Sequence, residues 1–234
     1  MRLAVIPARA GSKRIPRKNI KDFHGKPMIA WPILAAIESK CFDRIIVSTD
    51  DATIAEVAKS YGAEVPFIRP DELSDDHTGT GPVIAQAIEW INLQGETTSE
   101  VCCIYATAAF IEPCDLQRGL QLLESTQADY AFTVTSYPFP IQRALRITPE
   151  NRVKMFQREH FVTRSQDFES AWHDAGQFYW GQSESWLAHK PIFLSNAVPI
   201  FLPRYAVHDL DTMEDWDEAE ILFDYIHDRK ARTK

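Results

Sequence analysis

The chain has 234 residues, and its 25 lysines and arginines against 33 aspartates and glutamates give a formal net charge of −8 at pH 7. This length is enough for one α/β domain with a full hydrophobic core, and we expect residues 1–234 to form a single domain. The acidic balance argues against a nucleic acid partner, because proteins that bind DNA or RNA normally present a dominant basic surface.

The hydropathy pattern and the cysteines both predict a cytoplasmic protein without a membrane partner. No apolar run approaches the roughly 20 residues of a membrane span, and the first residues lack the apolar core of a signal peptide. The four cysteines show no Cys-x-x-Cys spacing, and the adjacent Cys102 and Cys103 would point to opposite faces of a strand. We therefore expect buried free thiols rather than a zinc site.

A basic loop follows the first predicted strand. The apolar residues 3–6 predict a buried strand that ends at Pro7, and residues 9–26 then hold seven of the 25 basic residues and one acid. A Gly-Ser turn with lysines and arginines beside it suits a polyphosphate, although a solvated charged loop is the alternative. A loop after a buried strand lies at the carboxyl edge of a sheet, where α/β proteins bind ligands, so we favour the binding site. The spacing is neither Walker A nor Gly-x-Gly-x-x-Gly.

The order of the following elements predicts a mostly parallel sheet. Helices are predicted at 27–40, 52–61, 82–93, 115–125 and 213–229, and strands at 43–48, 101–105, 130–135, 178–180 and 198–202. Alternating strands and helices indicate an α/β fold with right-handed crossovers. The segments 138–141, 144–147 and 153–156 instead predict short strands without helices between them. They indicate an inserted antiparallel arm over residues 137–170.

Two carboxylates near the C-terminus predict a metal site. Asp209 and Asp211 are two residues apart in an extended segment and so face the same side, while Leu210 faces the core. Two carboxylates together with phosphate oxygens are a usual Mg²⁺ environment. The alternative is that Asp211 or Thr212 caps the last helix, which would leave Asp209 unexplained.

The basic loop resembles a family signature. Residues 7–19 match the Pro-Ala-Arg-x-Gly-Ser-Lys-Arg-x-Pro-x-Lys-Asn motif of the cytidylyltransferases that activate nonulosonic (sialic-type) acids, and the resemblance spans almost the whole chain. It implies a Rossmann-like (GT-A-like) nucleotidyltransferase fold, a three-layer sandwich whose arm forms a homodimer. It also implies that Mg²⁺ is held by Asp209 and Asp211. The CTP-binding residues that it implies are Ala8, Arg9, Gly11, Ser12, Lys13, Lys18, Asn19, Arg69 and Thr80.

Arg69 and Thr80 also have simpler interpretations. Arg69 could form a surface ion pair, and Thr78 or Thr80 could cap the helix that follows them. The resemblance implies instead that Arg69 binds the cytosine carbonyl and that the hydroxyl of Thr80 contacts the ribose, roles for which a guanidinium fork and a short hydroxyl are suited.

Two segments resemble the branch of the family that activates pseudaminic acid. Tyr105 stands where the sialate enzymes have glutamine, and the segment His-Asp-Ala-Gly-Gln-Phe-Tyr-Trp covers residues 173–180. This implies that Tyr105, His173, Asp174 and Gln177 contact the sugar. The alternatives are a core aromatic at 105, and a loop histidine with a turn-forming aspartate before a strand.

The resemblance implies transfer of CMP from CTP to the anomeric hydroxyl of pseudaminic acid, giving CMP-pseudaminic acid and pyrophosphate for surface glycan or flagellin glycosylation. The catalytic residues would be Arg9, Lys13, Lys18 and Asp211, and no general base is evident. One alternative keeps the chemistry but uses a sialic, legionaminic or 3-deoxy-octulosonic acid. Another is a non-catalytic nucleotide-binding regulator, which would not need the metal pair.

Overall fold

The structure of the protein, a computed structural model, describes residues 1–75 and 78–233, with side chains as far as residue 226. The strands are β1 (Leu3–Pro7), β2 (Asp22–Phe23), β3 (Lys26–Pro27), β4 (Arg44–Ser48), β5 (Glu100–Ile104), β6 (Tyr130–Ser136), β7 (Leu145–Ile147), β8 (Val153–Met155), β9 (Trp172–Gln182) and β10 (Ala197–Phe201). The α-helices are α1 (Ala30–Ser39), α2 (Ala52–Ser60), α3 (Thr80–Leu93), α4 (Pro113–Thr126), α5 (Ser183–Leu187) and α6 (Met213–Thr233).

Six strands form one sheet in the order β10-β6-β9-β5-β1-β4. β1 runs parallel to both β4 and β5, and β10 runs parallel to β6, whereas β9 is antiparallel to β5 and β6. The predicted mostly parallel sheet is therefore confirmed. The antiparallel β9 is the departure from it, since the sequence pattern predicts a strand there but not its direction.

Helices cover both faces of this sheet. Ala4 and Ile6 of β1 pack in one hydrophobic cluster with α1, α2 and α4, and Leu3 and Val5 pack in a second cluster with α3 and α5. This alternation along one buried strand produces the three-layer α/β sandwich that the resemblance implied.

The boundaries of two elements differ from the prediction. The helix expected over 27–40 begins at Ala30, because β3 first pairs with β2 in a short hairpin, and Pro32 then falls in the first helical turn, where its missing N–H has no effect. Residues 138–141 do not form a strand. Two prolines precede a 3₁₀ turn at Ile141–Arg143, while β7 and β8 pair with each other apart from the main sheet.

A third cluster packs α6 against the basic loop. Ile15 of the loop, Phe23, Leu210 and Trp216 are all buried in it. Because Ile15 and Leu210 are fixed in the same cluster, their neighbours in the loop and before α6 are brought together at its surface.

The cysteines follow the prediction with one exception. All four are free thiols, and Cys102 and Cys103 pack in different clusters on opposite faces of the sheet, as expected for neighbours on a strand. Cys41 is also buried, whereas Cys114, at the start of α4, is exposed. In the part of the chain that the structure describes, no helix has both the length and the apolar character needed to cross a membrane.

Candidate active site

A cavity of about 700 Å³ lies at the carboxyl edge of the neighbouring strands β5, β1 and β4. This is the edge at which α/β sheets bind ligands, and the volume is that of a small-molecule site. Its wall comes from the basic loop, the end of β5, Arg69 and the start of α3. The lining residues are Pro7, Arg9, Gly11, Ser12, Lys13, Arg14, Ile15, Lys18, Asn19, Arg69, Thr78, Gly79, Thr80, Val83, Tyr105, Ala106 and Thr107.

Hydrogen bonds at both ends hold the basic loop over the cavity. The backbone N–H of Ala8 donates to Ser48 at 2.9 Å, and that of Ala10 donates to the carboxylate of Asp50 at 2.8 Å. At the far end the side-chain amide of Asn19 donates to the backbone carbonyl of Arg9 at 2.9 Å. Ala8 is buried behind the loop, whereas the other predicted phosphate-binding residues of the loop line the cavity. These bonds fix the loop with its cations on one wall of the cavity.

Arg69 has a buried guanidinium with two hydrogen-bond donors that no described residue satisfies. Its side chain is 4% exposed, and within the described structure its Nε and Nη2 atoms have no hydrogen-bond partner. Asp50 is 3.9 Å from Nη2, and burial lowers the pKa of Arg69 more than this carboxylate raises it. Arg69 thus forms an ion pair with Asp50, as in the alternative interpretation, but inside the protein rather than on its surface. A buried, unpaired donor on a cavity wall indicates that a ligand acceptor completes its hydrogen bonds.

Thr80 does not cap α3. The N-cap residue is Gly79, which makes no side-chain cap bond, and Thr78 uses its hydroxyl on the carbonyl of Glu72 at 3.2 Å. The hydroxyl of Thr80 instead lies 3.4 Å from that of Tyr105, across the cavity wall. The pKa of Tyr105 is raised, chiefly by burial, so this hydroxyl keeps its proton at neutral pH.

The two carboxylates of the predicted metal site lie beside the cations of the loop. Asp211 Oδ1 is 2.6 Å from Arg14 Nη2, and Lys18 Nζ donates to the carbonyl of Leu210 at 2.5 Å. Burial lowers the pKa of Lys18, while Asp211 and Asp209 oppose that effect, which puts both carboxylates within electrostatic reach of its ammonium. Among the described residues, no three His, Cys, Asp or Glu side chains converge on one point. A metal here would need ligand oxygens besides the protein's own.

The last helix is capped by Thr212 rather than Asp211. Thr212 Oγ1 accepts from the N–H of Asp215 at 3.2 Å, and Asp215 accepts in return from the N–H of Thr212 at 2.6 Å, which is a reciprocal capping box. Asp215 also accepts from the N–H of Asp211. The carboxylate of Asp211 is therefore not used for capping and is directed to the cations of the loop.

Three of the four predicted sugar-binding residues lie apart from this cavity. In the described chain its wall includes Tyr105 but none of His173, Asp174 and Gln177. His173 packs on Tyr137, with ring centroids 4.8 Å apart, and the amide of Gln177 donates to the carbonyl of Ala206. Asp174 accepts hydrogen bonds from the protein itself, from the hydroxyl of Tyr179 at 2.5 Å and the N–H of Gly176 at 3.0 Å.

Three residues of the site were not singled out from the sequence. Arg14 belongs to the quoted motif and contacts Asp211, so its charge within the loop was an available signal. Asp50 follows β4 at the carboxyl edge of the sheet, where it contacts both the loop and Arg69. Its position directly after a predicted strand was the available signal. Tyr179 carries no such signal, because a tyrosine in an apolar strand is usually a core residue.

Comparison with known proteins agrees with this geometry. The cytidylyltransferase family profile matches residues 3–229. The pseudaminic acid cytidylyltransferase of Campylobacter jejuni subsp. jejuni serotype O:23/36 is 44% identical over 97% of each chain. The CMP-N,N'-diacetyllegionaminic acid synthase of Legionella pneumophila is 29% identical over 95% of this chain and 96% of that one.

A solved structure has the same fold. The CMP:2-keto-3-deoxy-manno-octonic acid synthetase complexed with CTP superposes with a TM-score of 0.71 over 96% of this chain and 98% of that one, at 17% identity. At this identity the likeness concerns the fold alone. The match of the profile over almost the whole chain and the identity to a full-length relative decide the family: the chain belongs to the cytidylyltransferases.

Proposed function

We propose that the protein transfers CMP from CTP to the anomeric hydroxyl of pseudaminic acid, releasing pyrophosphate. The observation that carries CTP binding is the buried guanidinium of Arg69, two of whose nitrogens have no hydrogen-bond partner in the described structure and which shares one cavity with the cations of the loop. The choice of sugar is supported by the 44% identity to the Campylobacter enzyme against 29% to the legionaminic acid enzyme. Four free cysteines support a reducing, cytoplasmic location.

In this proposal Arg69 binds the cytosine base, and the basic loop binds the phosphates. The guanidinium of Arg69 donates to the O2 carbonyl of cytosine, an acceptor that replaces the water lost on burial. Lys13, Lys18 and Arg14 surround the triphosphate, where their charges offset the negative charge that builds up on the departing pyrophosphate. Most of the rate enhancement then comes from holding the anomeric hydroxyl in line with the α-phosphorus.

The donor set before α6 fits Mg²⁺. Asp209 and Asp211 supply two hard oxygen ligands, the number with which proteins usually hold this ion alongside phosphate oxygens. When bound, Mg²⁺ would neutralise phosphate charge and lower the pKa of a coordinated hydroxyl. Arg14 contacts Asp211 at 2.6 Å, so coordination of Mg²⁺ by this carboxylate would require the guanidinium to give up that contact.

The first experiment is pyrophosphate release from CTP with Mg²⁺ and, in parallel, pseudaminic, legionaminic and N-acetylneuraminic acids. We expect release with pseudaminic acid and at least about 100-fold lower kcat/KM with the others, since a site built on buried polar groups rejects a mismatched analogue strongly. Release with another acid alone would keep the nucleotide site and overturn the choice of sugar. CTP binding without release for any of them would favour the non-catalytic regulator.

We also propose that the arm formed by residues 137–170 binds a second copy of the chain. Leu145, Ile147 and Val153 of the β7–β8 hairpin are between 57% and 64% exposed, and Phe139 and Phe161 beside it are more exposed still. An apolar surface of this extent on a hairpin that is not paired with the main sheet favours a protein partner.

Ile147→Asp is expected to convert the dimer to a monomer. A carboxylate at Ile147, which pairs with Val153 beside the turn of the hairpin, would have to be buried in the interface without a partner, which weakens association by about 100-fold or more. Sedimentation equilibrium at micromolar concentration measures the change. Leu93→Asp is the matched control, because Leu93 is 83% exposed at the end of α3, away from the arm. A wild-type monomer, or an Ile147→Asp protein that stays dimeric, would contradict this interface.

A further inference from the structure

The end of β4 contacts both the basic loop and Arg69 on the cavity wall. The backbone carbonyl of Ser48 accepts from the N–H of Ala8 at 2.9 Å, and that of Thr49 accepts from the N–H of Arg69 at 2.8 Å. Ser48 and Thr49 are both fully buried. Two successive residues at one strand end thus fix the start of the loop and the backbone of Arg69.

The carboxylate of Asp50, the next residue, contacts the same two parts through a single atom. Its Oδ1 accepts from the backbone N–H of Ala10 at 2.8 Å and lies 3.9 Å from Nη2 of Arg69. The first distance is that of a charge-assisted hydrogen bond, whereas the second is too long for one. Asp50 therefore holds the loop by a hydrogen bond, and it attracts the guanidinium of Arg69 without occupying its N–H groups.

A carboxylate at this place works against the binding of an anion. The cavity is lined by Arg9, Lys13 and Lys18, which suit a polyphosphate, and the negative charge of Asp50 repels the same ligand. The side chain of Asp50 is 22% exposed, so solvent screens this repulsion only in part. Asp50 must therefore offset this cost in another way, and the two contacts of its Oδ1 atom are the means that the structure shows.

Asp50 also offsets the repulsion between two arginines of the wall. Burial lowers the pKa of Arg69, Asp50 raises it, and the nearby charge of Arg9 lowers it again. Arg9 is held on its other side, where Nη1 donates to the backbone carbonyl of Asp75 at 2.8 Å. Loss of Asp50 would remove the counter-charge that keeps the guanidinium of Arg69 in place beside that of Arg9.

We propose that Asp50 is a positioning residue that holds the basic loop and Arg69 together as one preorganised unit. One carboxylate oxygen fixes Ala10 in the loop and keeps the guanidinium of Arg69 at a set distance from it. The triphosphate and the base of one nucleotide then bind to groups that are already placed for both. The inference rests on the proposed function and deepens it, because it takes the loop as the phosphate site and Arg69 as the base site.

Calorimetric binding of inorganic tripolyphosphate and of CTP, both without divalent metal, tests the two contacts separately. Tripolyphosphate carries the phosphates without the base, so its affinity reports the loop. The ratio of the CTP affinity to the tripolyphosphate affinity reports the base site. We expect Asp50→Ala to weaken tripolyphosphate binding by about tenfold, the effect of one charge-assisted hydrogen bond, although it removes a negative charge from an anion site.

Asp50→Asn separates the hydrogen bond from the charge. Its amide oxygen can still accept from the N–H of Ala10, while the charge that faces Arg69 is lost. This variant should therefore bind tripolyphosphate at least as tightly as the wild type does. Its ratio of CTP affinity to tripolyphosphate affinity should fall by about threefold or more, because Arg69 has lost the counter-charge that positions it.

Asp51→Ala is the matched control. Asp51 is the neighbouring carboxylate, but its side chain caps α2 by accepting from the N–H of Ile54 at 2.9 Å. Its loss removes the same charge from the same turn and a helix cap with it. It should lower the melting temperature and leave both affinities within about twofold of those of the wild type.

The sign of the change in tripolyphosphate affinity is decisive. Tighter binding in both Asp50→Ala and Asp50→Asn would mean that Asp50 acts through its charge alone, and it would overturn the inference. The inference also fails if Asp50→Ala behaves as Asp51→Ala does, if the ratio is unchanged in Asp50→Asn, or if the wild type does not bind tripolyphosphate. Calorimetry needs no turnover, so a protein that binds both ligands but releases no pyrophosphate would refute the proposed function and still decide the role of Asp50.

Discussion

Arg69→Met is expected to weaken CTP binding by about tenfold to 100-fold and at the same time to make the ligand-free protein more stable. The guanidinium of Arg69 is buried on the cavity wall, and in the described structure two of its three nitrogens have no hydrogen-bond partner. Burial of this charge costs more than the attraction of Asp50, 3.9 Å from Nη2, returns, so its removal is favourable, and methionine fills a similar volume. We expect a gain of about 1 kcal/mol or more in the free energy of unfolding.

The loss of binding has the same cause. In the complex the cytosine carbonyl would supply the acceptor that the protein lacks, and a charge-assisted hydrogen bond of this kind is worth about 1.5–3 kcal/mol, or about tenfold to 100-fold in affinity. Calorimetry with CTP measures the binding, and thermal unfolding without ligand measures the stability. CTP should raise the melting temperature of the wild type and leave that of Arg69→Met nearly unchanged.

Arg44→Met is the control for the stability change. The side chain of Arg44 is also mostly buried, but its guanidinium binds Glu64 at 2.5 Å and Glu96 at 2.9 Å. The same substitution there leaves two carboxylates unpaired and should lower stability without changing CTP binding. If Arg69→Met destabilised the protein as much as Arg44→Met does, Arg69 would be a structural residue.

The position of the site could be predicted from the sequence because it depends on local features. A buried strand followed by Gly11 and a run of cations predicts an anion-binding loop at the carboxyl edge, and the cavity lies there. The alternation of Cys102 and Cys103 was likewise predictable, because adjacent strand residues face opposite sides whatever the strand pairs with. Such predictions need no knowledge of which strands are neighbours.

The contact between Asp174 and Tyr179 could not be predicted, because it depends on pairing between distant segments. Within residues 173–180, the sequence predicts that His173, Asp174 and Gln177 contact the sugar. Asp174 shares a face with Tyr179 only because the register of β9 with β6 shifts in a bulge, where Phe132 pairs with Tyr179 and Val134 pairs with Asp174. A five-residue spacing in one strand predicts opposite faces, so the sequence pattern indicates the wrong geometry here. Whether these residues contact the sugar is still a prediction.

The choice between metal ligand and helix cap at Asp211 also needed the structure. Asp211, Thr212 and Asp215 all suit the start of a helix, and composition does not rank them. The capping box uses Thr212 and Asp215, and this leaves the carboxylate of Asp211 beside Lys18 and Arg14.

Because Asp215 caps the helix and Asp211 does not, a substitution of Asp215 serves as the control for the predicted metal site. Asp215→Asn should lower the melting temperature and leave metal binding intact, since Asp215 serves the helix cap. Hydrogen bonds from Thr212 hold the pKa of Asp215 below its ordinary value. Its stabilisation is therefore present above the unfolded-state pKa of about 4 and is lost as the pH falls through the folded-state pKa, so the difference from wild type should shrink below about pH 4.

Asp211→Asn is expected to lower pyrophosphate release by about 100-fold to 1,000-fold with little change in stability. An amide has no negative charge to hold Mg²⁺ against the phosphates, and the metal contributes several kcal/mol to this class of reaction. The fold loses only an exposed contact with Arg14, of a type worth about 0–1 kcal/mol. Binding of Mn²⁺ in the presence of CTP, followed by electron paramagnetic resonance, should weaken in Asp211→Asn and not in Asp215→Asn. Unchanged Mn²⁺ binding together with normal turnover would mean that Asp211 serves only as the partner of Arg14, and the metal would then have to be held by the phosphates and Asp209.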